Sequence, residues 1–254
     1  MGYRDHPGEP FNGEDRVSTT DIPSERPVPE AWRWYYYIHM CGAEGKDWIA
    51  KYDQANGWDV AGRLDHIIAL CRRNRLDEAQ HMLAGCFQDL QAAERNAIPS
   101  VASVMRRWYL STKAYMRYHC RDYYEALNLL DQSNQAICDA ISLSPFLVGL
   151  AAGCVELIVH YARIARDERR WRDMQRYFAR ARAMYGDTLP LCELADGRQV
   201  FVRDIYQFVA SLEPQNEEER ASLAFIVNPQ VLARGIEILI RRVEASPNMV
   251  VPFE

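Results

Sequence analysis

Apolar residues recur at helical spacing along most of the chain, and they group into three similar pairs of stripes. In the first pair, a stripe from Leu64 to Cys71 is followed by a break at Arg72 to Arg75 and by a second stripe that ends before Pro99. The next two pairs break at Arg121-Asp122 and at Asp167 to Arg170. The first stripe of the second pair includes Trp108 and Tyr115, and that of the third pair begins at Phe146. Apolar residues at positions i, i+3, i+4 and i+7 are typical of one face of an α-helix. Each pair therefore predicts a helical hairpin.

The predicted hairpins repeat at a nearly constant spacing. Their second helices should begin near Leu76, Tyr123 and Trp171, which are 47 and 48 residues apart. Such a period is typical of stacked helical hairpins, because one hairpin cannot bury its apolar face alone. The sequence contains no strand-like alternation of apolar and polar residues. The pattern predicts an all-α fold of stacked antiparallel hairpins, an α-solenoid.

Further helices are predicted on both sides of the hairpins. One helix should run from Glu30 onward, and a short one from about Lys46 to Ala55. Beyond the third hairpin, a helix is predicted from about Glu193 to Leu212 and a last one from about Pro229 to Glu244. We interpret these last two helices as a pair that caps the repeats.

The two ends of the sequence differ from the helical body. Residues 1–29 contain five prolines and three glycines, which exclude a regular element and predict an extended arm. Residues 246–254 contain two prolines and are predicted to form an extended tail. The predicted organisation is an arm (1–29), a helical-repeat domain (30–245) and a tail (246–254).

Charge is distributed unevenly along the chain. The net charge of −5, from 35 acids and 30 bases, excludes a bulk cationic nucleic-acid binder, and we expect no DNA binding. Residues 1–30 contain seven acids and three arginines, so the arm is acidic and the rest of the chain is nearly neutral. Only three of the bases are lysine. Arginine differs from lysine in making planar, bidentate contacts to carboxylates and phosphates.

Cysteine usage and the N-terminal sequence indicate an intracellular protein. The seven cysteines are odd in number and form no C-x-x-C pair, which predicts reduced thiols and no structural zinc site. We expect no signal peptide at the N-terminus, and its acids argue against a mitochondrial presequence. No stretch approaches the roughly 20 uninterrupted apolar residues that span a bilayer. We expect a reducing compartment, either the cytoplasm or an organelle matrix such as that of the mitochondrion.

Two segments resemble known helical repeats. Residues 63–83 read R-L-D-H-I-I-A-L-C-R-R-N-R-L-D-E-A-Q-H-M-L and are followed by A-I-P-S-V at 97–101, which resembles one pentatricopeptide repeat. Residues 122–127 read D-Y-Y-E-A-L and resemble the start of the second helix of a tetratricopeptide repeat. The first resemblance implies organellar RNA binding, and the second implies binding of peptides or protein subunits on a concave face. The spacing of 47 residues exceeds the roughly 34 of these families, so the helices should be longer.

Arginines are concentrated near the third hairpin. Eight of them lie between Arg163 and Arg182, against three acids. Four are predicted to share the side opposite the apolar stripe of the hairpin's second helix: Arg169, Arg172, Arg176 and Arg180. They form either a row that binds phosphates or an acidic partner, or the solvated face of the helix, or a docking site for the acidic arm.

A dense aromatic block begins the helical domain. It consists of Trp32, Trp34, Tyr35, Tyr36 and Tyr37. Aromatic residues packed this closely on a helix point in several directions. The block therefore either contacts another protein, in which tryptophan and tyrosine serve as anchors, or packs against both the first hairpin and the arm.

No arrangement typical of catalysis is found in the sequence. His39 near Cys41 and His119 beside Cys120 lack an orienting third group, and the histidines show no metal-ligand spacing. We expect no enzyme activity, no cofactor and no metal. The sequence predicts a scaffold or structural subunit of a multi-protein assembly, with a pentatricopeptide-like RNA-binding adaptor as the alternative.

Overall fold

The computed structural model describes residues 30–217, 219–220 and 229–245, and for residues 30–33 and 229–232 it describes the backbone alone. The predicted arm (1–29) and tail (246–254) lie outside the described residues. The all-α prediction is confirmed, because nearly all of the described secondary structure is helical. The elements in chain order are α1 (Glu30–His39), α2 (Gly42–Gln54), α3 (Gly57–Arg72), α4 (Leu76–Asn96), α5 (Pro99–His119), α6 (Tyr123–Leu143), a 3₁₀ helix (Pro145–Ala151), α7 (Ala152–Asp167), α8 (Trp171–Tyr185), β1 (Cys192–Glu193), β2 (Gln199–Val200), α9 (Val202–Ala210) and α10 (Pro229–Glu244).

The three predicted hairpins are present as α3–α4, α5–α6 and α7–α8. Their second helices begin at Leu76, Tyr123 and Trp171, the residues that the sequence predicted. Helix α3 packs against both α4 and α5, and α4 packs against α5. The third hairpin contacts the second through α6, and α10 lies against α7 and α8. The apolar stripes of these helices form one continuous buried core.

The three hairpins turn in the same way. Each turn contains one residue with a positive φ, namely Asn74 (56°), Arg121 (61°) and Arg169 (60°). The N–H of the following residue then donates to the carbonyl five positions earlier, at 2.8–3.0 Å: Arg75 to Leu70, Asp122 to Arg117 and Arg170 to Ala165. We call Asn74, Arg121 and Arg169 the turn residues. Their spacing of 47 and 48 residues shows that the sequence period is also a period of backbone conformation.

The third hairpin departs from the prediction at its start. The sequence predicted one α-helix from Phe146, but the chain forms a 3₁₀ helix up to Ala151 before α7 begins. The buried Tyr37 hydroxyl explains this difference, because it donates to the Phe146 carbonyl at 2.6 Å and accepts from the Gly149 N–H at 3.2 Å. A side chain inserted between backbone groups interrupts regular α-helical bonding.

The helix predicted over 193–212 begins later than expected. Cys192–Glu193 and Gln199–Val200 form a short antiparallel hairpin, so the expectation that strands are absent was wrong here. The hairpin turns at Gly197, whose φ of +81° is readily adopted only without a side chain. Helix α9 starts at Val202, because the Asp204 carboxylate accepts from the Phe201 N–H at 2.7 Å and caps the helix there.

One segment of the core is unusually apolar. Residues Pro145–Asp167, which comprise the 3₁₀ helix and α7, are long and apolar enough to cross a membrane by length and composition alone. In the folded chain, 72% of this apolar stretch is buried. The same composition is what a central core helix requires.

Candidate functional site

A cavity of about 1400 Å³ lies between the first helices of the three hairpins. Its walls come mainly from α3, α5 and α7, and α1, α2 and α10 contribute further side chains. We call it the central cavity. Exposed side chains such as Arg72 and Arg121 are part of its lining, so the central cavity opens to solvent.

Equivalent positions of the three hairpins line the central cavity. The offsets of 47 and 48 residues that relate the turns also relate the lining residues of α3, α5 and α7. The equivalent sets are Ala61, Trp108 and Glu156; Asp65, Thr112 and His160; Ile68, Tyr115 and Arg163; Cys71, Tyr118 and Arg166; Arg72, His119 and Asp167; and the turn residues Asn74, Arg121 and Arg169. Each first helix therefore presents the same face to one shared space.

Aromatic side chains form much of the lining. Five of the six tryptophans of the chain border the central cavity: Trp34, Trp48, Trp58, Trp108 and Trp171. On one wall, the rings of Trp48 and Tyr52 stack with centroids 5.0 Å apart, and Tyr52 meets Trp58 edge-on at 4.8 Å. The Trp48 indole N–H donates to the Ser100 hydroxyl at 3.0 Å. Ring contacts hold all three side chains of this wall, and the hydrogen bond also fixes Trp48.

The wall formed by α5 and α7 combines aromatic and charged groups. The Tyr118 hydroxyl donates to one carboxylate oxygen of Asp167 at 2.6 Å, and the Arg166 Nε donates to the other at 2.7 Å. The Tyr115 ring meets the His119 ring edge-on, with centroids 4.7 Å apart. Burial and the hydrogen bond to Asp167 raise the pKa of Tyr118, so its hydroxyl remains protonated.

Arginine is the dominant charged residue in the lining. The central cavity is bordered by seven arginines and three acids. Five of these arginines have no carboxylate of the described residues within 4 Å: Arg72, Arg121, Arg163, Arg169 and Arg242. By contrast, ten arginines elsewhere in the fold form such ion pairs. The central cavity therefore has an excess of positive charge that the described side chains do not neutralise.

The most enclosed of these arginines is Arg163. Its guanidinium carbon lies 5.9 Å from the centroid of the Tyr118 ring. Burial lowers the pKa of Arg163, although the group keeps its charge at neutral pH. Burial and the nearby Arg163 and Arg107 lower the pKa of His160 to about 3. The pKa of His119 is lowered by burial and by Arg163 and Arg72, so the positive charge here belongs to arginine.

The predicted arginine row is divided in the structure. Arg169 lies in the turn before α8 and lines the central cavity. Arg172, Arg176 and Arg180 are exposed on α8 and do not line it. The Arg176 guanidinium is 3.5 Å from Asp173, so part of its charge is already paired. The four residues therefore do not form one site, because Arg169 belongs to the turn and not to the helix.

The predicted aromatic block is mostly turned inward. Tyr36 and Tyr37 are buried, so these two belong to the core and not to an exposed binding surface. Trp34 is half-buried and lines the central cavity. Tyr35 is half-buried, and its ring stacks on His39 with centroids 5.8 Å apart. The side chain of Trp32 lies outside the described residues.

The central cavity itself was not predicted from the sequence. Trp108 and Tyr115 were assigned to the apolar core stripe of α5, but both are half-buried and line the cavity. Trp108, Ser111, Tyr115 and Tyr118 follow one another at steps of three and four residues, which marks a second helix face. Comparing this face across the three hairpins would have revealed the shared lining.

Comparisons with known proteins give no relative for this chain. No protein-family model, no curated protein and no solved structure matches it. Within the part of the chain that the structure describes, no group of three or more histidine, cysteine or acidic side chains is placed to hold a metal ion. The resemblance to pentatricopeptide and tetratricopeptide repeats stays a prediction.

Proposed function

We propose that this chain is a non-enzymatic helical-repeat protein that serves as a scaffold or subunit of a larger assembly and binds a segment of a partner protein in the central cavity. The observation that carries this proposal is the lining, in which equivalent positions of three hairpins face one space. A lining built by repetition is typical of helical-repeat proteins, whose inner helices form an extended binding surface.

The repeated backbone supports a short solenoid. The three hairpins share one turn conformation, and α3, α4 and α5 pack as neighbouring repeats do. In this proposal α3, α5 and α7 are the inner helices, and α10 covers the end of the third hairpin. The predicted arm and tail would supply further contacts to neighbouring subunits.

The chemistry of the lining fits a polypeptide ligand. Tryptophan, tyrosine and arginine are the residues that dominate binding energy in protein interfaces. Ser111, Thr112 and the carboxylates of Asp65 and Glu156 also line the cavity. Hydroxyls and carboxylates can accept hydrogen bonds from the N–H groups of an extended chain. The lining thus offers both apolar anchors and polar groups suited to a peptide backbone.

The reactive side chains of the cavity are poorly suited to catalysis. Burial raises the pKa of Cys71 to about 11, which keeps its thiol protonated and weakly nucleophilic at neutral pH. His160 and His119 both have lowered pKa values, and His160 at about 3 is far from the range of an effective general base at pH 7. These observations favour binding over catalysis.

A second candidate is binding of single-stranded RNA. The five tryptophans and the arginines without carboxylate partners favour it, because bases stack on aromatic rings and phosphates pair with arginine. The acids of the lining weigh against it, since Asp65, Glu156 and Asp167 would repel a phosphate backbone. The polypeptide ligand is therefore the preferred proposal.

A comparative pull-down tests the proposed function. The tagged full chain is recovered gently from its own cells, with and without nuclease, and bound proteins are identified by mass spectrometry. Trp108→Ala removes a cavity anchor, and Tyr124→Ala is the control because Tyr124 is 86% exposed on α6. We expect a nuclease-resistant partner that the Trp108 variant loses and the Tyr124 variant keeps. No partner, or one released by nuclease, would contradict the proposal.

A further inference from the structure

We infer that the partner segment is acidic and that its carboxylates are held by Arg121 and Arg169 at the mouth of the central cavity and by Arg163 inside it. This inference rests on the proposed function and names the chemistry of its ligand. Three observations carry it: the backbone conformation of two arginines, the enclosure of a third, and the charge of the surrounding lining.

The backbone conformation of Arg121 and Arg169 is unusual for arginine. Their φ values of 61° and 60° lie in the left-handed region, which glycine adopts most easily and asparagine and aspartate tolerate. Among the described residues, the other non-glycine residues with positive φ are all of those tolerant types: Asn56, Asn74 and Asp187. Arginine therefore occupies, in two equivalent turns, a position where glycine would be less strained.

No side-chain contact within the described fold explains why arginine occupies these two turn positions. Neither side chain has a hydrogen bond or an ion pair with the described residues, and both line the central cavity. A basic residue near the end of a helix can interact favourably with the helix dipole, but the last turns of α5 and α7 already contain Arg117 and Arg166. Backbone strain that the fold does not need is often found at binding sites.

Arg163 extends the same chemistry into the cavity. It occupies the position in α7 equivalent to Ile68 in α3 and Tyr115 in α5. Its guanidinium is largely enclosed, lies against the Tyr118 ring, and is near the charge of Arg166. An enclosed cation among other cations destabilises the fold unless an anion compensates it. The Asp167 carboxylate, which acts on this guanidinium electrostatically, is already hydrogen-bonded to Tyr118 and Arg166.

A carboxylate ligand fits this set of donors best. The planar guanidinium binds a carboxylate through two parallel hydrogen bonds. Arg121 and Arg169 follow one another on successive hairpins, so a segment running across the inner helices would meet both of them. The acids of the lining (Asp65, Glu156 and Asp167) tolerate a peptide, whose charges are separated, better than a continuous phosphate backbone.

Fluorescence anisotropy with defined probes tests the inference on the full chain. The main probe is a dye-labelled peptide of glutamate, serine and tyrosine, and the comparison probes are its glutamine counterpart, its phosphoserine version with glutamine for glutamate, and oligouridylate. Arg121→Gly and Arg169→Gly remove the side chains and relax the backbone. Arg180→Gln is the control, since it removes the charge of an exposed arginine outside the cavity.

The expected result separates binding from stability. The glutamate peptide should bind more tightly than the other probes, and each glycine variant should weaken it by about tenfold. The melting temperature of both variants should stay equal or rise, because glycine adopts the turn conformation without strain. Arg163→Gln should also weaken binding. If the glutamine variant does not fold, Arg163→Lys replaces it in the test. The lysine variant keeps the charge and should retain part of the binding. The control should bind like the unmodified chain.

Several results would overturn the inference. One is that the glycine variants become more stable but bind the glutamate peptide unchanged, since the strained arginines would then have no role in binding. Tighter binding of the phosphopeptide would show that the site binds phosphate and not carboxylate. Tighter binding of oligouridylate would show that the ligand is RNA. If no probe binds but the Trp108 variant still loses a protein partner in the pull-down, the inference fails and the proposed function stands.

Discussion

Replacing His160 by glutamine should flatten the acid side of the protein's stability curve. His160 lies on α7 in the wall of the central cavity, and burial together with Arg163 and Arg107 lowers the pKa of its imidazole to about 3. In the unfolded chain the pKa of a histidine is about 6.5. The unfolded state therefore binds a proton that the folded state does not bind between these two values.

The sign and size of the effect follow from this difference. Stability that depends on the neutral form of His160 is present above pH 6.5 and is lost as the pH falls toward 3, because protonation favours the unfolded chain. Integrated from pH 7.5 down to pH 5, the difference amounts to about 2 kcal/mol. The window between pH 5 and 6.5 is the most informative, since carboxyl groups titrate mainly below it.

Urea unfolding at a series of pH values measures the effect. The free energy of unfolding of the unmodified chain should fall on acidification, and the His160→Gln variant should lose about 2 kcal/mol less over the same interval. His81→Gln is the matched control, because His81 is exposed on α4, and its slope should equal that of the unmodified chain. Equal slopes for the His160 variant and the unmodified chain would refute the account of a neutral histidine among arginines.

Three further substitutions test contacts described above. Tyr37→Phe leaves two buried backbone groups of the 3₁₀ helix without their partner and should lower the free energy of unfolding by about 1–3 kcal/mol in urea titration. Gly153→Ala would place a methyl group 2.7 Å from the guanidinium of the buried Arg107, which would have to shift, so the melting temperature should fall. Arg182→Gln removes a two-point ion pair with Glu237 (2.8 and 3.1 Å) between α8 and α10, worth about 0.5–1 kcal/mol, and hydrogen exchange in α10 should accelerate at low salt but not at high salt.

Each of these substitutions has a matched control. Tyr124→Phe removes an exposed hydroxyl and should leave stability unchanged, so equal losses in the two tyrosine variants would contradict the role of Tyr37. Gly62→Ala adds a methyl group on α3 with nothing within 4 Å, so it should stabilise the fold. Arg220→Gln removes an exposed ion pair outside α10, and exchange in α10 should not respond to it.

The fold was largely predictable where its signals are local. The starts of α4, α6 and α8 were predicted correctly because a break in the apolar stripe and the turn residues coincide at these points. The segment at 192–201 was misjudged, since apolar residues such as Leu191 and Leu194 resemble part of a helix stripe. What decides the structure there is the turn at Gly197 and the cap at Asp204, two signals that the periodicity does not contain.

The candidate site was predictable only in part, because its assembly is not local. Tyr37 shapes the start of the third hairpin from 109 residues away, and no sequence window includes both partners. Trp108 and Tyr115 share a helix with core residues, and periodicity alone does not show that the space they face stays open. Arg169 was selected for its charge, but its position in a turn equivalent to that of Arg121 became visible only with the backbone angles.

The grouping of tryptophans around one cavity makes the protein's own light emission a local signal. Five of the six indoles border the central cavity, and Trp48 and Trp58 both contact the ring of Tyr52, so absorbed energy passes readily between neighbouring rings. Indole emission shifts toward shorter wavelength when water is displaced from around the ring. Occupation of the cavity should therefore shift the maximum of the protein's tryptophan emission. An unlabelled ligand can be detected by that shift alone.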